Sequence, residues 1–240
     1  ALEVLKGRHE RAAALCRKLK TSCAEMRDAE KLDWLNEGLA ADDVATLGMI
    51  LRTNGLPRLQ QLVLMYSKFG DAGMQAAFGG LGCGAAPSLR RLGLIGNQFG
   101  PAGAEALAWA LATALGRGAM PKLEVLSLGN NPIGNQGVAT LGAPLRMLPA
   151  LKVLCLTNCE IGDEGVATLV DNLGKDDFKV LEWLWLANNK ITDAGMVKIV
   201  AAIDAGGLPK LVDHEYFLMN NAATAAAVQA VKGALAKRSQ

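Results

Sequence analysis

Large rings are scarce in this chain: four Trp, two Tyr and five Phe make up 5% of 240 residues. A core built on aromatic clusters is therefore excluded. With 51% apolar residues overall, burial has to rest on Leu, Ala and Gly, which suits a thin core of aliphatic rows. Histidine is scarcer still, with only His9 and His214, so acid–base chemistry near neutrality has two candidates at most. His9 falls on the apolar stripe of the first helical segment and His214 takes an inward apolar slot near the end, so neither is expected to be catalytic. Charge of one sign is also lacking. A formal net charge of +2 is too small to draw nucleic acid or an anionic membrane through the overall field.

No stretch approaches the roughly 18 to 20 consecutive apolar residues that cross a bilayer, and no charged-then-apolar leader opens the sequence. No direct membrane insertion and an intracellular, cytoplasmic location are expected. Because the first residue is Ala1 rather than Met, organelle import by a removed targeting segment and further flanking domains stay open. The five cysteines, Cys16, Cys23, Cys83, Cys155 and Cys159, are odd in number and unclustered, which favours free thiols in a reducing compartment. Phosphate loops, His-Glu-x-x-His, Cys-x-x-Cys and Gly-x-Ser-x-Gly are all missing. No enzyme activity, cofactor or metal is expected.

Against these absences stands one recurring pattern. Leu151, Leu154, Leu156, Cys159 and Ile161 form L-x-x-L-x-L-x-x-C-x-I, followed by Gly165, Val166 and Leu169 at helical spacing. The same spacing returns with Leu59, Leu62 and Leu64; Leu89, Leu92, Leu94 and Asn97; Leu123, Leu126, Leu128 and Asn131; and Leu181, Leu184, Leu186 and Asn189. It is degenerate at Leu32 and Trp34, and decays at Leu211, His214 and Tyr216. The period is close to 30 residues, stretched where Leu115 to Pro121 adds a longer loop.

Within each unit Leu154 and Leu156 alternate with Val153, Cys155 and Thr157, the period-two signature of a strand with one face inside. A helix, opened by Asp71, Asn135, Asp163 or Asp193 as N-caps, must then return the chain to the next parallel strand. Helices are about 10 Å wide and paired strands stand about 4.8 Å apart, so stacking such units curves the array with its strands inside.

The pattern resembles the leucine-rich repeat of the ribonuclease-inhibitor type. The resemblance implies an α/β leucine-rich-repeat solenoid, a horseshoe with parallel strands on the concave face and helices on the convex face. It also implies that the Asn97, Asn131, Cys159 and Asn189 slot hydrogen-bonds backbone of adjacent coils, with Glu37, Ser67 and Met219 as departures that weaken the ladder at both ends.

Three segments are expected. Residues 1–27, apolar at Leu2, Leu5, His9, Ala12, Cys16, Leu19, Cys23 and Met26, form one continuous capping helix. Residues 28–221 hold seven repeats, with strands centred near Asp33, Val63, Gly93, Ser127, Cys155, Trp185 and Glu215. Residues 222–240 form a closing helix and tail, capped at Asn221 and ending in a solvated basic turn at Lys237 and Arg238. On a continuous first helix, seven residues rise about 10.5 Å, too far for Cys16 and Cys23 to share a zinc ion.

The strand register turns a mostly small and apolar row outward, and a contiguous exposed apolar strip marks a protein contact. Trp183 and Trp185, two apart on one strand, point into the concavity beside Phe217 and Tyr66. With Glu215, Met65, Ile95 and Arg91 they form the expected partner-binding set. The function expected from the resemblance is a non-enzymatic scaffold, either an adaptor or a stable subunit of a larger complex, that binds a protein partner and not nucleic acid. The alternatives are the sensing region of a larger NLR-like receptor and a GTPase-activating protein similar to that for Ran. The register itself is testable: Leu156→Ala, deleting an inward side chain, should cost about 2 to 5 kcal/mol, whereas Thr157→Ala on the outward row should stay within about 0.5 kcal/mol in denaturant melts.

Overall fold

The computed structural model describes residues 2–53, 55–79, 86–112, 120–214 and 217–238, with side chains placed from residue 6 and not at residue 53. Helices α1 (Leu2–Lys18) and α2 (Cys23–Asp28) precede strand β1 (Lys31–Asp33). There follow α3 (Ala41–Thr53), β2 (Gln61–Val63), α4 (Gly70–Phe78), β3 (Arg91–Gly93), α5 (Pro101–Ala112), β4 (Val125–Ser127) and α6 (Gly134–Arg146). The chain continues through β5 (Val153–Cys155), α7 (Asp163–Val170), β6 (Trp183–Trp185), α8 (Asp193–Asp204) and α9 (Ala225–Arg238). The strands form one open parallel sheet in sequence order. Leu32, Leu62, Leu92, Leu126, Leu154 and Leu184 stand in register across it. The helices from α3 to α9 pack each on the next, so strands and helices occupy opposite faces of an α/β solenoid.

The inward row is dry. Leu64, Leu94, Leu128, Leu156 and Leu186 are fully buried, as are Phe99, Ile133, Ile161 and Ile191 one turn later. Three-residue strands joined to tight turns leave backbone groups inside that only the neighbouring repeat can reach. Asn97 donates to the carbonyls of Leu64 and Leu94 and accepts from the N–H groups of Ser67 and Lys68. Asn131 and Asn189 repeat the arrangement, each joining its own turn to the preceding one. In the fifth repeat the slot holds Cys159, whose thiol makes only long contacts of 3.5 Å to the Leu128 and Thr157 carbonyls. Burial pushes that thiol up to about 12, so it remains protonated and is a weak donor.

Contrary to the expectation from the sequence, Asp71, Asn135, Asp163 and Asp193 do not cap the helices they open: the N-cap positions there are Phe69, Ile133, Gly162 and Thr192, and the first three act on the neighbouring repeat instead. Asp71 accepts from the N–H groups of Gly100 and Gly103, Asn135 from Gly162 and Gly165, and Asp163 from Thr192 and Gly195. Each therefore closes the first turn of the helix that follows its own, a second ladder between repeats. The approach is so close that a Cβ on Gly195 would lie 2.5 Å from the Asp163 carboxylate, which explains the Asp-x-Gly and Asn-x-Gly spacing.

Further expectations are corrected. Helix α1 does not run to residue 27: it ends at Lys18, Lys20 takes φ 51°, and Ser22 opens α2 through a capping box with Glu25. The Ser-x-x-Glu signature was present in the sequence. The break folds the chain back and brings Cys16 Sγ to 2.8 Å from Cys23 Sγ, so the separation along a continuous helix does not apply. Leu2 and Leu5 of the expected stripe, and Cys83, lie outside the described side chains.

At the other end the register slips by two residues. Val212 donates to the Glu182 carbonyl as Glu182 does to Lys152, yet Leu186 donates to Phe217, where a 30-residue spacing would place Glu215. Asn221, not Met219, consequently fills the asparagine slot, bonding the carbonyls of Leu186 and Leu218 and the N–H of Ile191, and the ladder does not fade here. The start of α9 is capped by Thr224, whose Oγ1 accepts from Ala227. Arg238 is not a solvated terminus either: its guanidinium donates to the Leu208 and Leu211 carbonyls, and burial lowers its pKa. The seventh expected strand centres on Glu215, which with Tyr216 lies outside the described residues; six strands are present among the described ones.

The weak rung at Cys159 gives a reciprocal test. Cys159→Asn should restore the ladder and stabilise the protein by about 0.5 to 2 kcal/mol. Asn189→Cys should lose at least about 2 kcal/mol by leaving buried backbone groups poorly paired, both read from denaturant midpoints.

Candidate functional site

The outward strand positions divide the concave face into three zones. At the β1 end the row is charged: Lys31 pairs with Asp33 at 3.1 Å, and Arg91 is exposed two strands further on. The middle is small and closed. Met65, half-buried, lies across Gly93, where a Cβ would come within 2.4 Å of its methyl, and Cys155 lies against Gly129. Ile95 beside them is half-buried.

The β6 end is aromatic. Trp183 is exposed at 38% and Trp185 half-buried, as their outward positions on either side of buried Leu184 require. The slipped register places His214 against both indoles, with ring centroids 5.0 Å from Trp183 and 6.1 Å from Trp185. Phe217 lies 5.7 Å beyond. His214 Nε2 is 3.2 Å from the Leu184 carbonyl oxygen. Loss of water lowers the pKa of the ring, against the smaller opposing effects of that carbonyl and of Asp213.

The expected partner-binding set is only partly assembled. Trp183 and Trp185 share the concavity. Phe217 does not line it: at 2% exposure it is a core residue beneath His214, because the two-residue slip moves it out of the outward row. Glu215 lies outside the described residues. Tyr66 is not beside the tryptophans, since it follows β2, four strand spacings or about 19 Å from β6. It is 46% exposed and its ring lies over Gly96.

Tyr66 carries a second peculiarity. It has φ 57°, in a turn position filled elsewhere by Asn36, Gly96, Asn130, Asn158, Asn188 and Asn220, all with positive φ. Asn and Gly tolerate that conformation, whereas a bulky ring is rare there and strained. Asn158 also donates to Asn130, and Asn220 to Asn188, along this exposed edge. His214 is the residue that sequence reasoning missed. The available signal was the Leu218…Asn221 spacing, which matches Leu186…Asn189 and implies a two-residue insertion just before it.

Four stretches, residues 85–108, 119–142, 149–170 and 181–200, match a family model described as Leucine Rich repeat. A comparison with curated proteins gave no match.

Since protonation of His214 is disfavoured in the folded chain, the unfolded chain binds more protons as pH falls through about 6.5 and below. This group's contribution to stability is therefore present above that pH and is lost on acidification towards the lowered folded value. The ring should titrate below 6.5 by NMR, with quenching of the adjacent tryptophan fluorescence, and His214→Gln should remove that quenching step; a midpoint at or above 6.5 would contradict the half-buried placement against the indoles.

Proposed function

We propose that this chain, four stretches of which match the leucine-rich repeat, docks a protein partner along its concave face, as such repeats generally do, and acts as an adaptor or a fixed subunit of a larger assembly. The observation that carries this reading is Trp183, a large indole left 38% exposed next to Trp185 and His214. Leaving such apolar area in water is unfavourable, and aromatic side chains of this kind dominate interface energetics when a partner covers them. Tyr66 supports the same reading from the other end of the face. A strained turn residue that packs no core is better accounted for by recognition than by folding. The charge pattern favours protein over nucleic acid, since the row lacks a basic track among the described residues and Lys31 is already paired with Asp33.

Affinity purification from the native source, with identification of what co-purifies, supplies the partner. Trp183→Ala combined with Trp185→Ala should then abolish capture while a thermal melt still shows a folded protein, each indole contributing on the order of 2 kcal/mol or more of binding. Tyr66→Asn should weaken capture while leaving stability unchanged or raising it by about 1 kcal/mol. Undiminished capture by both variants would move the binding site to the convex helices or the edge loops.

A further inference from the structure

The break between α1 and α2 creates a feature that partner binding does not use. Cys16 lies near the end of α1 and is buried against the first repeat at 4% exposure, whereas Cys23, the first residue of α2, is exposed. Their sulfurs are 2.8 Å apart, and both line a hollow, open to solvent, with His9, Met26 and Arg27. The residues between them are a turn with Lys20 at φ 51°, and the capping box of Ser22 and Glu25 fixes where α2 begins. The approach of the thiols is thus imposed by backbone features on both sides.

We propose that Cys16 and Cys23 form a reversible dithiol–disulfide couple that, when oxidised by a small-molecule disulfide, ties the end of α1 to the start of α2. Closing the sulfurs from 2.8 Å to a bond of about 2.05 Å is a sub-ångström movement, within the freedom of two side-chain torsions. The order of events follows from exposure. Cys23, as the thiolate, attacks one sulfur of the oxidant, breaks its S–S bond and releases one thiol, leaving a mixed disulfide on Cys23. Cys16 then loses its proton and attacks the Cys23 sulfur, expelling the second thiol. Two electrons and two protons leave the protein, and one disulfide of the oxidant becomes two thiols.

Burial and the neighbouring sulfur push the Cys16 thiol up to about 12, which suits a residue that resolves the mixed disulfide and does not react first. Arg17 and Arg27 nearby favour a negatively charged oxidant such as oxidised glutathione. Cys155 and Cys159, both buried, are four residues apart but belong to the concave row and the asparagine slot, and stay outside the couple.

The test uses the full chain and oxidised glutathione, followed by alkylation of remaining thiols and trypsin digestion without reduction. Cleavage after Arg11, Arg17, Lys20 and Arg27 separates the two cysteines, so residues 12–17 and 21–27 should be recovered as one linked species, about 2 Da lighter than the two free peptides together because two hydrogens are lost. Dithiothreitol should separate them. Cys16→Ser should instead accumulate glutathione on Cys23, and Cys23→Ser should leave Cys16 unmodified. A persistent glutathione adduct on Cys23 of the unaltered chain, a Cys23 link to a second chain, or recovery of both peptides fully alkylated would each overturn the proposal.

Discussion

The structure depends on hydrogen bonds that one repeat makes to the backbone of the next. Three-residue strands are too short to satisfy their flanking turns, and a buried N–H or C=O without a partner costs about 1 to 3 kcal/mol. Asn97, Asn131, Asn189 and Asn221 meet that demand on the strand side, and Asp71, Asn135 and Asp163 on the helix side. Because every one of these residues bonds across to a neighbouring repeat, no unit is complete alone. Stability is accordingly a matter of neighbouring pairs along the array. The leucine rows supply the burial; the polar rungs fix which turn lies beside which.

That constraint also explains the binding face. When the last repeat departs from the common spacing, the asparagine slot is kept, by Asn221, and the two extra residues are expelled ahead of it. The offset arises between Val212, which keeps the common register, and Phe217, which does not. His214 is thereby brought onto the two indoles and Phe217 is drawn into the core. The aromatic patch is thus a consequence of register: the recurring polar rung is kept by Asn221, and the offset ahead of it sets His214 against the indoles.

The two ends of the face differ in how they expose rings. At β6 the alternation of a strand points Trp183 and Trp185 outward while a neighbouring histidine partly covers them. At β2 a turn in the left-handed region lifts Tyr66 over a glycine. Between them lies a floor of small residues, so a partner that reaches both would have to bridge about 19 Å. The thiol pair at the opposite, N-terminal end is remote from the aromatic patch and belongs to the helical layer.

Periodicity alone determined the repeats, their strands, the parallel order and the identity of nearly every inward leucine, because burial on one face imposes a spacing that cannot be shifted by one residue without turning the row outward. The sequence assigned Asp71, Asn135 and Asp163 to the helices they open, and none of them caps its own helix. That each caps the following helix was decided only when the coils stacked, since the donor lies some 30 residues away in sequence and a few ångströms away in space. The same holds for the meeting of Cys16 with Cys23, which needed a helix to stop at Lys18, and for His214 and Phe217, whose placement turned on a two-residue slip. Apolar spacing is a local property, legible along the chain; a contact between irregular segments is set by which backbone groups must find partners, and that is settled only by the assembled array.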